Sequence, residues 1–144
     1  EFNWLKKELD NHKKDVIVLC THVPIDEPYP SANHKMCNEY EIKSLLKSYS
    51  NPIVVLQGHY HCTRARQDAN IIYITTPSLV TFPNAFRVIN INSNKQRTLV
   101  DVFLKETNLK DIQKRSKLRL FGTESLYGSE SDRNTTFELR REEE

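Results

Sequence analysis

The chain has 144 residues, with Lys+Arg 21 against Asp+Glu 19 and a formal net charge of +2. Charged residues make up 28% and hydrophobic residues 38%, an ordinary globular balance that excludes the collagenous and wholly disordered classes. So small an excess of positive charge argues for neither nucleic acid nor an anionic membrane, because that argument needs charge gathered on one face.

The longest apolar runs, residues 16–20 and 53–56, fall far short of a membrane span, and the N-terminus lacks a signal-peptide layout, so no membrane partner is expected. Cys20, Cys37 and Cys62 make an odd set with no CxxC pair. That disfavours a disulfide framework or a zinc ribbon and fits a reducing compartment, the cytoplasm. The chain opens at Glu1-Phe2, directly in a helical pattern and without Met, which reads as the start of a fragment.

Phe2, Leu5 and Leu9 recur at helical spacing and predict an amphipathic helix ending near Asn11. Residues 16–20 form a continuous β-branched apolar run, expected as a strand buried on both faces. A loop follows over residues 23–37, carrying Pro24, Pro28 and Pro30. Asn38 with Glu41 three residues on reads as the start of a helix whose stripe is Ile42, Leu45, Leu46 and Tyr49. A second buried strand is expected over 53–57. Strand, helix and strand at this spacing make a βαβ unit, so the two strands are expected to run parallel. Apolar runs at 71–75, 86–91 and 98–104 are expected as strands joined in a meander or hairpins. A basic helix is expected over 105–119, with Leu109, Ile112 and Leu118 facing the core. The end reads as a polar tail with one short strand near 135–139.

The histidines are placed where chemistry gathers. His22 follows the first parallel strand, and Gly58-His59-Tyr60-His61 follows the second. In an open α/β sheet, active sites lie at the carboxyl ends of the strands, so the topology is expected to bring His22, His59 and His61 to one crest. Residues at i and i+2 of an extended segment share a side, so His59 and His61 are expected to serve one metal or two neighbouring ones. Gly58 is expected to permit a sharp turn that a side chain would hinder. His12 lies in a polar stretch and reads as solvated, and buried cysteine at 20 or 62 reads as packing.

The segments Leu19-Cys20-Thr21-His22-Val23-Pro24 and Val55-Leu56-Gln57-Gly58-His59-Tyr60-His61 resemble the two C-terminal signature motifs of the calcineurin-like metallophosphoesterases. Residues 72–79 and 82–89 resemble the strand, turn and strand that follow in members related to cyclic-nucleotide phosphodiesterases and purple acid phosphatases. The resemblance implies an α/β fold, the C-terminal half of a four-layer αββα sandwich, in which a βαβ unit is followed by antiparallel strands. It further implies a dinuclear centre of Mn, Fe or Zn that activates water for attack on phosphorus. In that pattern His22 and His59 bind the second metal and His61 the first.

The family's N-terminal half, with its Asp-x-His, Gly-Asp and Gly-Asn motifs, is not matched. No Gly-Asp or Gly-Asn can be written in this chain, and Asp10-Asn11-His12 ends a helix rather than a strand, so it reads as a chance match. No catalytic residue is therefore expected here, since the family's leaving-group histidine lies in that unmatched half. Two dications on three neutral imidazoles would repel each other, so at most one metal and little turnover are expected of this chain alone.

Residues 1–104 are read as the C-terminal half of the metallophosphoesterase domain, 105–121 as a basic helix packing on it, and 122–144 as a polar tail, partly disordered or with one short strand. The 23–37 loop with Tyr60, Asn84 and His34 is expected to shape the substrate pocket. Arg64 and Arg66 read as surface residues. The expected substrate is a small phosphoester, with nucleotides among the candidates. The rival readings are a noncatalytic metal-binding or interaction half-domain that self-associates through its exposed sheet, and nucleic-acid binding through the basic stretch. The latter is disfavoured because no aromatics interleave the cations.

Overall fold

The computed structural model describes residues 1–31, 34, 36–120 and 123–141. Helix α1 (Phe2–Asn11) leads into strand β1 (Ile17–Cys20), and helix α2 (Glu39–Lys47) crosses to strand β2 (Ile53–Gln57). The β1 and β2 strands pair in parallel, Ile17 opposite Ile53 and Cys20 opposite Leu56, as the βαβ pattern requires. Strands β3 (Arg64–Asp68) and β4 (Ile71–Thr75) complete a four-stranded sheet of order β1-β2-β4-β3. A second, antiparallel sheet holds β5 (Ala85–Ser93), β6 (Arg97–Glu106) and β7 (Asn134–Arg140) in that order.

Alternation along the central strands builds two cores. Ile53 and Val55 of β2 and Ile71 and Tyr73 of β4 point toward α1 and α2, meeting Leu5, Leu9, Ile42 and Leu46. Val54, Ile72 and Ile74 point the other way and meet Val100, Val102 and Leu139 of the second sheet. A strand sandwiched between a helical layer and another sheet must be apolar at every position, which is why 53–56 and 71–74 read as continuous runs.

Several expectations are corrected. β1 is not buried on both faces: Ile17 and Leu19 pack on the helical core, whereas Val18 is 47% exposed and Cys20 is exposed. It is an edge strand that the second sheet does not cover. Residues 71–75 do not join the meander. β4 pairs parallel to β2 and, across the turn at 69–70, antiparallel to β3, so it belongs to the first sheet. β3 went unread because its sequence, Arg64-Ala65-Arg66-Gln67-Asp68, has no apolar period. The β4 edge recruits it, and ion pairs of Arg66 with Asp26 and Arg64 with Asp132 hold it. Asn38 precedes α2 without a side-chain cap bond.

The basic helix is shorter than expected, α3 (Lys110–Leu118), because β6 continues to Glu106. None of its residues is buried: Leu109, Ile112 and Leu118 are exposed rather than core-facing. It is tethered by polar contacts. Ser116 Oγ accepts from the Phe82 amide at 2.6 Å, and Gln113 Nε2 donates to the Pro83 carbonyl at 2.9 Å. The Glu106 carboxylate accepts from Lys110, Tyr127 and Gln113, and these bonds hold its pKa down at about 2 against the usual 4.5.

A depressed carboxylate contributes stability that is full above the unfolded pKa and is lost as pH falls from about 4.5 toward 2. Discounted for its partial exposure, Glu106→Gln is expected to cost about 1–2 kcal/mol at neutral pH. Acid titrations of parent and variant followed by circular dichroism should converge below the folded pKa.

The polar tail is more ordered than expected. Short helices α4 (Thr123–Tyr127) and α5 (Glu130–Arg133) precede β7, which spans the expected 135–139 strand. Ser129 and Asp132 form a capping box, and Asp132 also accepts from the Ala65 amide, pinning α5 to β3. The expected disorder at 122 and 142–144 lies outside the described residues. Gly128 has φ +73, and a Cβ there would sit 2.4 Å from the Thr63 carbonyl oxygen. Gly128→Ala is therefore expected to cost about 2–3 kcal/mol, read as a lower urea midpoint at unchanged slope.

Candidate metal centre

The parallel pairing of β1 and β2 brings their carboxyl ends side by side, and the segments that leave them carry His22 and His59. The Gly58 amide donates to the His22 carbonyl at 3.2 Å, locking the two segments together one residue before His59. His59 Nδ1 then lies 3.2 Å from His22 Nε2, with the rings edge to face at 81°. The His34 ring approaches His59 at 5.2 Å and Tyr60 at 6.0 Å. Burial, followed by the neighbouring charges of His22, His34 and His61, holds the His59 pKa below the ordinary imidazole range. That favours the neutral ring, the form that ligates a metal.

Two features of the motif differ from expectation. Gly58 adopts no left-handed conformation, and a Cβ there would meet only ordinary contacts at 3.8 Å from His22. The turn falls instead on His59 at φ 67 and His61 at φ 52, positions where an L side chain is strained. Because these residues are left-handed, the segment is not extended and the i, i+2 argument for a shared side does not apply. His61 Nδ1 faces the Thr81 hydroxyl at 3.2 Å.

The remaining candidates form the surroundings of this pair. Tyr60 is buried, donates to Glu27 Oε1 at 3.1 Å and stacks edge to face on Tyr29. Asn84 is buried inside the turn before β5, where its side-chain amide donates to the Leu79 carbonyl. Cys62 is buried, and burial pushes its thiol up to about 11, so it is inert at neutral pH. His12 is exposed and pairs with Asp15 at 2.8 Å. Asp10 accepts from the Tyr49 hydroxyl at 3.0 Å, a helix-packing role that agrees with the chance reading of Asp10-Asn11-His12.

Sequence reasoning missed the clamp beneath the site. Gln57 Oε1 accepts from the Ile25 and Asp26 amides at 3.1 and 3.2 Å, while Nε2 donates to the Asp26 carbonyl and to Thr75 Oγ1. This one side chain fastens the start of the proline loop to the sheet crest. A polar residue closing an apolar strand was the available signal, since a buried amide must have its bonds satisfied.

The residues can be tested against a metal by geometry. Two imidazole nitrogens on one tetrahedral zinc lie about 3.3 Å apart, given Zn–N bonds of roughly 2.0–2.1 Å. The separation of 3.2 Å between the His22 and His59 nitrogens fits that spacing. No group of three or more His, Cys, Asp or Glu side chains stands ready around one metal position among the described residues.

A dimetal phosphatase from Danio rerio shares this architecture at a TM-score of 0.54 and 20% identity, over 68% of this chain. The likeness is one of fold. The chain spans 32% of that phosphatase. A conserved protein of Streptococcus pneumoniae described as a phosphoesterase aligns at 12% identity and TM-score 0.34, over 72% of this chain and 47% of its own. A Vps29 double mutant from Entamoeba histolytica aligns at 7% and 0.35, over 80% and 52%. At such scores neither bears on the reading. No family model and no curated protein sequence matches the chain.

Proposed function

We propose that this chain contributes the histidine side of a metal-dependent phosphoester hydrolase centre. His22 and His59 would hold one divalent ion between them, with His61 on the adjoining flank as a further ligand. The reading is carried by the 3.2 Å approach of two imidazole nitrogens from strands that neighbour each other but lie far apart in sequence. The strain retained at His59 and His61 supports it, since such backbone persists where the surroundings enforce it and function requires it.

The chemistry such an ion supplies when bound is polarisation of a phosphoryl oxygen and activation of water near neutral pH. The chain's own residues do the rest. His59, whose pKa burial lowers, would turn Nδ1 toward the ion, and the bond from the Gly58 amide to the His22 carbonyl holds the two segments together. Tyr60 and His34 would wall the site on the loop side. Substrates would be small phosphoesters, hydrolysed only by the assembled domain, because carboxylates beside the histidines are needed to offset a second dication.

Metal titration of the parent, His22→Ala and His61→Ala with zinc and with manganese tests the ligand set. Loss of binding in His22→Ala supports it, and unchanged metal content in every histidine variant would remove it. An assembled domain inactive on all phosphoesters in manganese, iron and zinc would sink the enzyme reading alone. The noncatalytic interaction reading draws on one observation, the uncovered face of β1 at Val18 and Cys20. Concentration-dependent dimerisation by analytical ultracentrifugation, with metal bound but no turnover, would favour it.

A further inference from the structure

α3 is an amphipathic helix whose apolar residues found no core. Leu118 is 79% exposed and Ile112 50%, and across from them the turn before β5 projects Val80 at 80% and Leu79 at 57%. Ile112, Arg115, Ser116 and Arg119, at helical spacing, form one wall of an open groove of about 490 Å³ whose opposite wall is Val80 and Thr81. Among the described residues Lys114, Arg115 and Arg119 have no carboxylate partner, and Asp111 is the lone acid on α3. The Thr81 hydroxyl reaches His61 Nδ1, so this surface borders the candidate metal centre.

We propose that α3 and the 79–81 turn form a docking surface for an anionic lipid bilayer, holding the histidine crest at headgroup level. Exposed aliphatic side chains among unpaired guanidinium and ammonium groups match both components of such a surface. The aliphatic groups enter the acyl boundary and the cations meet acidic headgroups. Single-stranded nucleic acid fits less well, because it is held by exposed aromatics, and among the described aromatics beside α3 Phe82 is buried beneath Lys117 and Tyr127 is half-buried. No helix among the described residues is long and apolar enough to cross a membrane, so the contact is peripheral. The sequence argument against a membrane partner concerned spanning length and net charge; a peripheral surface needs no span, and the cations gathered along α3 supply the one-sided charge that the net value does not show.

The test is co-sedimentation of the purified protein with metal-free vesicles, either pure phosphatidylcholine or about one-third phosphatidylglycerol, at low and high salt. The expected result is partition onto the anionic vesicles only, falling with salt. Arg115→Ala/Arg119→Ala is expected to weaken it about twenty-five-fold, at about five-fold per cation, and Arg115→Lys/Arg119→Lys to preserve it. Val80→Asp is expected to weaken it at least about ten-fold with the fold unchanged by circular dichroism, since that side chain is exposed. Equal partition onto both vesicles, no partition, or full partition by the Ala and Asp variants would overturn the proposal. So would tighter, Arg-dependent binding of single-stranded RNA, or self-association that buries Val80. The readout needs neither metal nor turnover, so its outcome stands apart from the phosphoesterase reading.

Discussion

Replacing His59 with alanine is expected to lower zinc or manganese affinity by about a hundred-fold or more while leaving the fold intact. The ring faces His22 at 3.2 Å and is only partly buried, so its loss removes a ligand without opening a cavity. A companion variant separates function from stability. His59 holds φ at 67, which a residue with a Cβ occupies at a cost of about 1–2 kcal/mol. His59→Gly relieves that strain and is expected to raise stability by about 1 kcal/mol in urea titrations while still failing to bind metal. A stabilised, metal-deaf variant would mean that the imidazole is kept for its nitrogen. If His59→Gly bound metal like the parent in isothermal titration, the ligand assignment would fail.

Asp26→Asn is expected to be the most destabilising polar change, at about 2–3 kcal/mol. Asp26 is 6% exposed and accepts from Arg66 Nε and Nη2 at 2.5 Å each and from Lys43 at 3.1 Å. Burial pushes its carboxyl up, but the bonds from Arg66 and Lys43 outweigh burial and hold its pKa below the ordinary value of 3.8. The stability it contributes is therefore present above that value and fades as pH falls through the folded pKa, so parent and variant should converge in acid. Arg66 and Lys43 are partly exposed and regain water when the pair breaks, which keeps the loss below that of a wholly buried pair. Although Gln57 still grips the backbone of this residue, losing the side-chain bonds to Arg66 and Lys43 should loosen the loop that bears Tyr29 and His34. Faster proteolysis within residues 27–37 at a temperature well below unfolding is the expected sign.

The difference between what could and could not be read follows the range of the interactions. Residues 53–57 and 71–75 were legible because a strand buried on two faces leaves no position free for a polar side chain except its end, where Gln57 sits. The convergence of His22 and His59 was legible because a βαβ crossover forces parallel strands, and parallel strands share a carboxyl edge. β3 was not, because an edge strand tied down by Asp26 and Asp132 carries its stabilising partners elsewhere in the chain. α3 was misread on its orientation: its spacing of Leu109, Ile112 and Leu118 specifies an apolar stripe but says nothing about whether a surface exists to receive it.

The order of residues by itself therefore determined the parallel βαβ core and the pair of imidazoles at its crest, since both follow from local periodicity and a chirality rule. Only the tertiary structure decided which residues carry the left-handed turn, that His61 Nδ1 meets the Thr81 hydroxyl, that Gln57 clamps the proline loop, and that α3 stays outside the core. The reason is physical: periodicity records which face a side chain takes. Backbone strain, hydrogen-bond closure and the presence of a covering layer are settled by groups distant in sequence that meet only when the chain has folded.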